Sequence, residues 1–144
     1  MPSDPPNGFY VLDPDDPFEM ETGPFYARDG EGDRLYGFRM EGRHANAGGA
    51  IHGGALMTFA DFAICAEAVR GHPEDAPLTI SFASEFLAPV HTGAWIETRP
   101  DVLRRTRGFV FMRAVLQVED TPVFSCSGVI KRLTRERKGT GAAG

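Results

Sequence analysis

Between His44 and Asp61 the chain reads His-Ala-Asn-Ala-Gly-Gly-Ala-Ile-His-Gly-Gly-Ala-Leu-Met-Thr-Phe-Ala-Asp. Two features of this run could do chemistry. The first is His52-Gly53-Gly54, which immediately precedes an apolar segment with helical spacing. A helix start presents free backbone N–H groups at the positive end of the macrodipole, and these stabilise a developing oxyanion. Glycines there let a bound molecule approach the backbone closely, although they would serve equally as a flexible entry to a helix. The second feature is Asp61, an acid set among Phe59, Ala60, Phe62, Ala63 and Ile64. A carboxylate in such surroundings is costly unless it is paired or hydrogen-bonded. It fits a nucleophile or a general base for water; a structural partner of an arginine, or an acid on a single polar stripe, is the alternative. Glu67 falls about 240° further round the helix, on another face, and is expected in solvent or in a salt bridge.

Spacing adds a demand. Gly53 and Asp61 are separated by about 12 Å along one helix. A base and an oxyanion donor acting on one carbonyl must each lie within about 3 Å of reacting atoms. One chain cannot satisfy both, but two antiparallel helices related by a two-fold axis can, with Gly53 of one chain meeting Asp61 of the other. The spacing therefore predicts an active site across a dimer interface.

The elements that must hold these residues follow from the surrounding pattern. The chain has 144 residues, 42% hydrophobic and 24% charged, which suits one globular domain. Residues 1–34 carry nine acids and two bases and read as an acidic arm, with one helical turn near Asp16–Met20. Leu35–Glu41 alternates as a strand. From Gly53 to about Arg70 a helix apolar on most sides is expected, stopped by Gly71, His72 and Pro73. The rest reads as strands over Leu78–Phe86, Ala94–Leu103, Gly108–Glu119 and Val123–Leu133, with a bulge or edge at Pro100 and a bulge at Gly128. Residues 134–144 read as a flexible basic tail. The fold class is thus α+β, a long helix on the concave face of a curved antiparallel sheet.

Composition excludes several classes. A net charge of −5 argues against a partner such as nucleic acid or an anionic membrane surface. No apolar run is long enough to span a bilayer and no basic leader precedes residue 20, so a cytoplasmic location is expected. Cys65 and Cys126 form no metal or redox motif and read as buried thiols. His44, His72 and His91 lack ligand spacing, so no metal is assigned. Ser125 and Ser127 lack a nucleophile elbow. Residues 99–138, by contrast, carry ten bases against four acids. Arg104-Arg105-Thr106-Arg107-Gly108 falls at a turn between strands, either as an exposed turn or as a local anion site.

The run Asn46-x-x-Gly49-x-x-His52-Gly53-Gly54, with Asp61 seven residues after Gly54, resembles the hot-dog-fold acyl-CoA thioesterases of the phenylacetate-degradation and thioesterase-superfamily type. The resemblance covers about Leu35–Leu133. It implies a hot-dog domain over 35–133 and hydrolysis of an acyl- or aryl-CoA thioester to free acid and CoA. It makes Asp61 the catalytic acid and Asn46 the loop amide that positions thioester or water. Gly53 would supply the N–H that polarises the carbonyl, with His52 and Gly54 beside it, and Thr79 would hold the water or the acid. Arg104 and Arg107 would lie near the phosphates of coenzyme A. No cofactor is implied, since coenzyme A belongs to the substrate, and the expected assembly is a homodimer or a dimer of dimers. A hot-dog enoyl-CoA hydratase or dehydratase, pairing His52 with Asp61, is the enzymatic alternative; an acyl-CoA binding module without turnover is the other. Phe59, Phe62, Phe82, Phe86, Phe109 and Phe111 would line an apolar or aryl pocket or simply build the core.

Overall fold

The computed structural model describes residues 4–134. Eight strands form one antiparallel sheet: β1 (Tyr10–Val11), β2 (Tyr26–Asp29), β3 (Arg34–Arg39), β4 (Asp75–Phe86), β5 (Trp95–Thr98), β6 (Asp101–Arg105), β7 (Phe109–Val118) and β8 (Thr121–Thr134). Their spatial order is β1-β2-β3-β5-β7-β8-β4, with β6 paired beside β5 on β7. Among the described residues there are also two α-helices, α1 (Pro17–Thr22) and the 17-residue α2 (Gly53–Val69), and a single 3-10 turn over Gly42–His44. A long central helix wrapped by a curved antiparallel sheet is the hot-dog arrangement.

Helix α2 forms where the sequence places it. His52 caps its start, and Gly71, in the left-handed region at φ 83, lets the chain leave its end. Seven of its residues are buried, among them Leu56, Phe59, Ala60 and Ile64. They meet the inward side chains of β7 (Val110, Met112, Ala114, Leu116) and of β8 (Phe124, Cys126, Ile130). The bulge expected at Gly128 is absent; Gly128 pairs in register with Met112 and with Phe82. A Cβ there would stand 2.6 Å from Ile64 Cδ1, so the glycine lets the helix come down onto the sheet. The irregularity lies instead on β4, between Thr79 and Ser81. The strand expected over 94–103 is broken in two: Pro100, which has no N–H to give a ladder, separates β5 from β6.

The acidic arm is not a separate appendage. Strands β1 and β2 extend the sheet, Asp29 pairs with Arg34 across a tight turn, and Phe25 and Ala27 are core residues. The Phe25 ring meets those of Phe38, Phe59 and Phe62 at 5.0–5.4 Å between centroids. The expected boundary at residue 34 therefore falls inside the sheet; apolar Phe25 and Tyr26, outweighed by nine acids in the composition of the segment, are what tie it down. Of the tail, all residues past Thr134 lie outside the described residues.

At the opposite margin, β4 pairs among the described residues only with β8. Its free edge carries Leu78 and Ile80, 47% and 53% exposed. Among the described residues no helix is long and apolar enough to cross a membrane.

Candidate active site

Asp61 sits in the middle of α2, partly buried, on the face toward the start of β4. There Thr79 donates its hydroxyl to Asp61 Oδ1 at 2.6 Å. Helix and strand are consecutive in the chain, so the turn after α2 returns the strand alongside the helix and brings Thr79 back to Asp61. Cys65, one turn beyond Asp61, places its sulfur 3.1 Å from Thr79 Oγ1 and 3.8 Å from Asp61 Oδ1. Asp61 Oδ2 has no partner among the described residues. The costly carboxylate is thus hydrogen-bonded on one oxygen and available on the other. Burial and the neighbouring Asp61 push the Cys65 thiol up to about 12, so it stays protonated and is no nucleophile at neutral pH.

These groups open into a cavity of about 820 Å³. Its apolar wall includes Met57, Phe62, Leu78 and Phe82, and α1 closes one side with Phe18 and Glu19. Burial, with Asp16, Asp13 and Asp61 nearby, pushes the Glu19 carboxyl up to about 7. The six expected aromatic residues part company here. Phe82 and the edge of Phe62 line this cavity, Phe59 is core, and Phe109 and Phe111 stand on the outer face of β7.

The start of α2 is a second, separate place. His52 Nδ1 accepts the Gly54 N–H at 2.9 Å, so Gly54's amide is already spent. The Ala55 N–H goes to His52 O at 2.9 Å. Gly53 N–H donates to no group among the described residues, which leaves it as the free donor at the helix start. A groove of Ile51, Leu56, Phe86 and Leu87 flanks Gly53, and a Cβ on it would lie 2.8 Å from Phe86 Cε1. Asn46 closes the preceding loop: its Oδ1 accepts from the N–H groups of Gly48 (2.9 Å) and Ala50 (3.3 Å), leaving its amide NH2 for another acceptor. Gly49, at φ 91, makes the turn possible.

The chain therefore brings Thr79 and Cys65 to Asp61, and His52 and Gly54 to Gly53, but keeps the two clusters apart. Arg104 and Arg107 are exposed on the β6–β7 hairpin and line neither place. Their neighbour Arg105 has a structural role, donating to Ala68 O at 2.7 Å near the end of α2. Glu67 accepts from Tyr36 at 3.0 Å and from Arg70 at 2.8 Å, the salt bridge its position predicts. Two clusters of potential metal ligands occur among the described residues, Asp13–Asp16–Glu19 and His72–Glu74–Asp75. In the second, Asp75 is ion-paired to Arg132 at 2.6 Å, and in the first, Asp16 is the cap of α1. Sequence reasoning missed Cys65 and Glu19 as neighbours of Asp61. The i, i+4 spacing of Asp61 and Cys65 was available as a signal; for Glu19, on a short helix far from α2 in the chain, there was none.

Comparison with known proteins fits this architecture. Among solved structures, a conserved protein from Pseudomonas aeruginosa, PA5202, superposes with a TM-score of 0.74 at 20% identity, covering 81% of this chain and 94% of that one. The N33D mutant of the phenylacetic acid degradation protein PaaI from Thermus thermophilus gives 0.69 at 24% identity, covering 82% and 100%. At these identities the likeness establishes the fold. A model of the family described as the acyl-CoA thioesterase N-terminal domain matches residues 41–130. The curated protein named Putative esterase PA0474, from Pseudomonas aeruginosa, is 31% identical over 126 residues, 86% of this chain and 94% of that one. The chain belongs to the hot-dog acyl-CoA thioesterase family.

Proposed function

We propose that the protein hydrolyses an acyl- or aryl-CoA thioester to the free acid and CoA, at two equivalent sites, each completed by both chains of a homodimer. The observation that carries this reading is the 2.6 Å hydrogen bond fixing Asp61 at the floor of an apolar-walled cavity, with its second oxygen unpartnered among the described residues. Asp61 takes a proton from water as the water oxygen bonds to the thioester carbon. The carbonyl oxygen gains negative charge, and the Gly53 N–H of the other chain, at the positive end of α2, stabilises it. The carbon–sulfur bond then breaks and the sulfur leaves as a thiolate that takes up a proton. Asn46, through its free NH2, positions the thioester. His52 supports Gly53 from the cap, holding Gly54 N–H so that only Gly53's faces the ligand.

One feature supports the dimer, and another a dimer of dimers. The free edge of β4, with Leu78 and Ile80 exposed, is the kind of unpaired strand that a second copy covers by edge-to-edge pairing. Pairing there places the start of β4, and Asp61 behind it, at the junction. A dimer of dimers would further cover the outward Phe109, Phe111 and Val115 of β7. Arg104 and Arg107 are the cations offered to the CoA phosphates. A cytoplasmic location suits a CoA ester as substrate.

A thiol-release screen over short, long and aryl acyl-CoAs tests the reading. Release by the wild type and its loss in Asp61→Ala, with the oligomer intact, is expected. Hydration of an enoyl-CoA in place of thiol release would identify the hydratase alternative, and tight binding of a CoA ester without release the binding module.

A further inference from the structure

Helix α1 lies along α2 and brings Glu19 into the cavity of Asp61. Its start is capped, and its finish is held by another loop. At the start, Asp16 Oδ1 accepts the Glu19 N–H at 2.9 Å. At the finish, the loop after β3 grips it: Arg43 donates to Glu21 O at 2.5 Å and also to Gly23 O, and buried His44 donates from Nε2 to Thr22 O at 2.5 Å. His44 Nδ1 accepts from the Glu41 N–H at 2.9 Å, which sets that tautomer, and burial holds its pKa below the usual range. The loop that clamps α1 is the loop that leads on to Asn46 and Gly53. Glu19 is therefore presented to Asp61 by a segment built into the site.

Resting on the thioester-hydrolysis reading above, we propose that Glu19 is a second proton-handling carboxylate: it takes from Asp61 the proton removed from water and gives it to the departing CoA thiolate. The balance closes. Water supplies one O–H proton and forms the new carbon–oxygen bond. The proton passes from Asp61 through a water in the shared cavity to the Glu19 carboxylate; the carbon–sulfur bond breaks with its electron pair on sulfur; and Glu19 returns the proton to that sulfur. Both carboxylates end as they began, and no other reactant is required.

The surroundings suit Glu19 to this task. Asp13 and Asp16 face it from the arm, Asp61 and Cys65 from α2. Arg34, Arg70 and Asp75 border the adjoining space, but each is committed elsewhere: Arg34 to Asp29, Arg70 to Glu67, Asp75 to Arg132. Among the described residues, Glu19 thus has acidic company and no free cation. A carboxyl held up at about 7 both accepts and releases a proton near neutrality. Transfer onward to an ordinary thiolate, with a pKa of about 8.5, is downhill.

The test is the pH dependence of kcat for CoA-thiol release by the intact wild-type protein, Glu19→Gln and Glu19→Asp, with Asp61→Ala alongside. Because Glu19 must be ionised to accept a proton, wild-type kcat rises with pH through about 7. Glu19→Gln is expected to lose kcat at least about tenfold, to lose the limb near 7, and to leave KM nearly unchanged. Glu19→Asp, which keeps a carboxyl, retains a limb. A wall residue without a proton role would alter KM or thermal stability and leave the limb in place. A Glu19→Gln variant with the wild-type limb and kcat, while Asp61→Ala is inactive, overturns the relay and spares the thioesterase reading. A wild type that releases no thiol from any CoA ester overturns both.

Discussion

Replacing Thr79 by valine probes how Asp61 is held. Valine has nearly the shape of threonine and lacks only the hydroxyl that reaches Asp61 Oδ1 at 2.6 Å. A hydrogen bond to a charged group contributes about 1.5–3 kcal/mol. If all of that supported the aim of the carboxylate in the transition state, kcat would fall about ten- to hundredfold, since about 1.36 kcal/mol is a factor of ten. An opposing effect reduces this. A water in the cavity can take the place of the lost hydroxyl and recover part of the bond. The net expectation is the lower end, a loss of about tenfold in kcat with KM unchanged. Cys65 cannot substitute, because its sulfur is 3.8 Å from the same oxygen and a thiol donates weakly. The cavity side of Asp61 admits water, so folding stability should change by less than about 1 kcal/mol. Steady-state thiol release and a thermal melt measure both quantities. Thr79→Ser should restore kcat. Wild-type kcat in Thr79→Val, or a serine variant as slow as the valine one, would refute the positioning role.

Gly53→Pro removes one N–H from a position where helices readily accept proline. His52, at ψ 132, already has the backbone angle a following proline requires, and the Phe86 ring that would meet the new side chain is 55% exposed and free to swing. The variant should be inactive, as should Asp61→Ala, yet mixed dimers refolded from equal amounts of the two should recover up to about a quarter of wild-type activity, because one site in each heterodimer is intact; no recovery would place both groups in one chain's site. Replacing Arg104 and Arg107 together by alanine should raise KM for a CoA ester several-fold, and the effect should shrink as salt screens the phosphates; an unchanged KM would leave the hairpin as a solvent-exposed turn. Cys65 and Cys126, pushed up to about 12 and about 11 chiefly by burial, should react with an alkylating reagent at neutral pH far more slowly in the folded protein than in denaturant. Fast labelling of the native protein would contradict that burial.

The parts of the fold that follow from local periodicity are legible in the sequence. Helix α2 can be read to within a residue of its end, because apolar side chains, the Gly53-Gly54 entry and a Gly-His-Pro stop all agree. The alternation of β7 and β8 is equally plain. What escapes depends on partners distant in the chain. Gly128 looks like a bulge in isolation; only the approach of Ile64 from α2 explains it. The arm looks like a solvated acidic tail because charge dominates its composition, whereas Phe25 alone fastens it to three other rings. For the candidate site, the motif singles out Asp61, Gly53 and His52, and an i, i+4 reading would add Cys65 as the neighbour of Asp61. Glu19 is out of reach, since its relation to Asp61 depends on Arg43 and His44 gripping carbonyls about twenty residues earlier.

The two halves of the proposed chemistry ride on one helix, eight residues apart. In a two-fold pair this makes α2 a ruler shared by both reaction centres. A substitution along it alters one kind of group at a time, and a neighbour can compensate. An insertion or deletion between Gly53 and Asp61 does something different: it turns one end by about 100° and slides it by about 1.5 Å relative to the other. Both centres then lose registration together, with no intact copy to sustain function while compensation is found. Over evolutionary time, the number of residues between Gly53 and Asp61 should therefore be far more constant than their identities, and the loops on either side of the helix should absorb the changes in length.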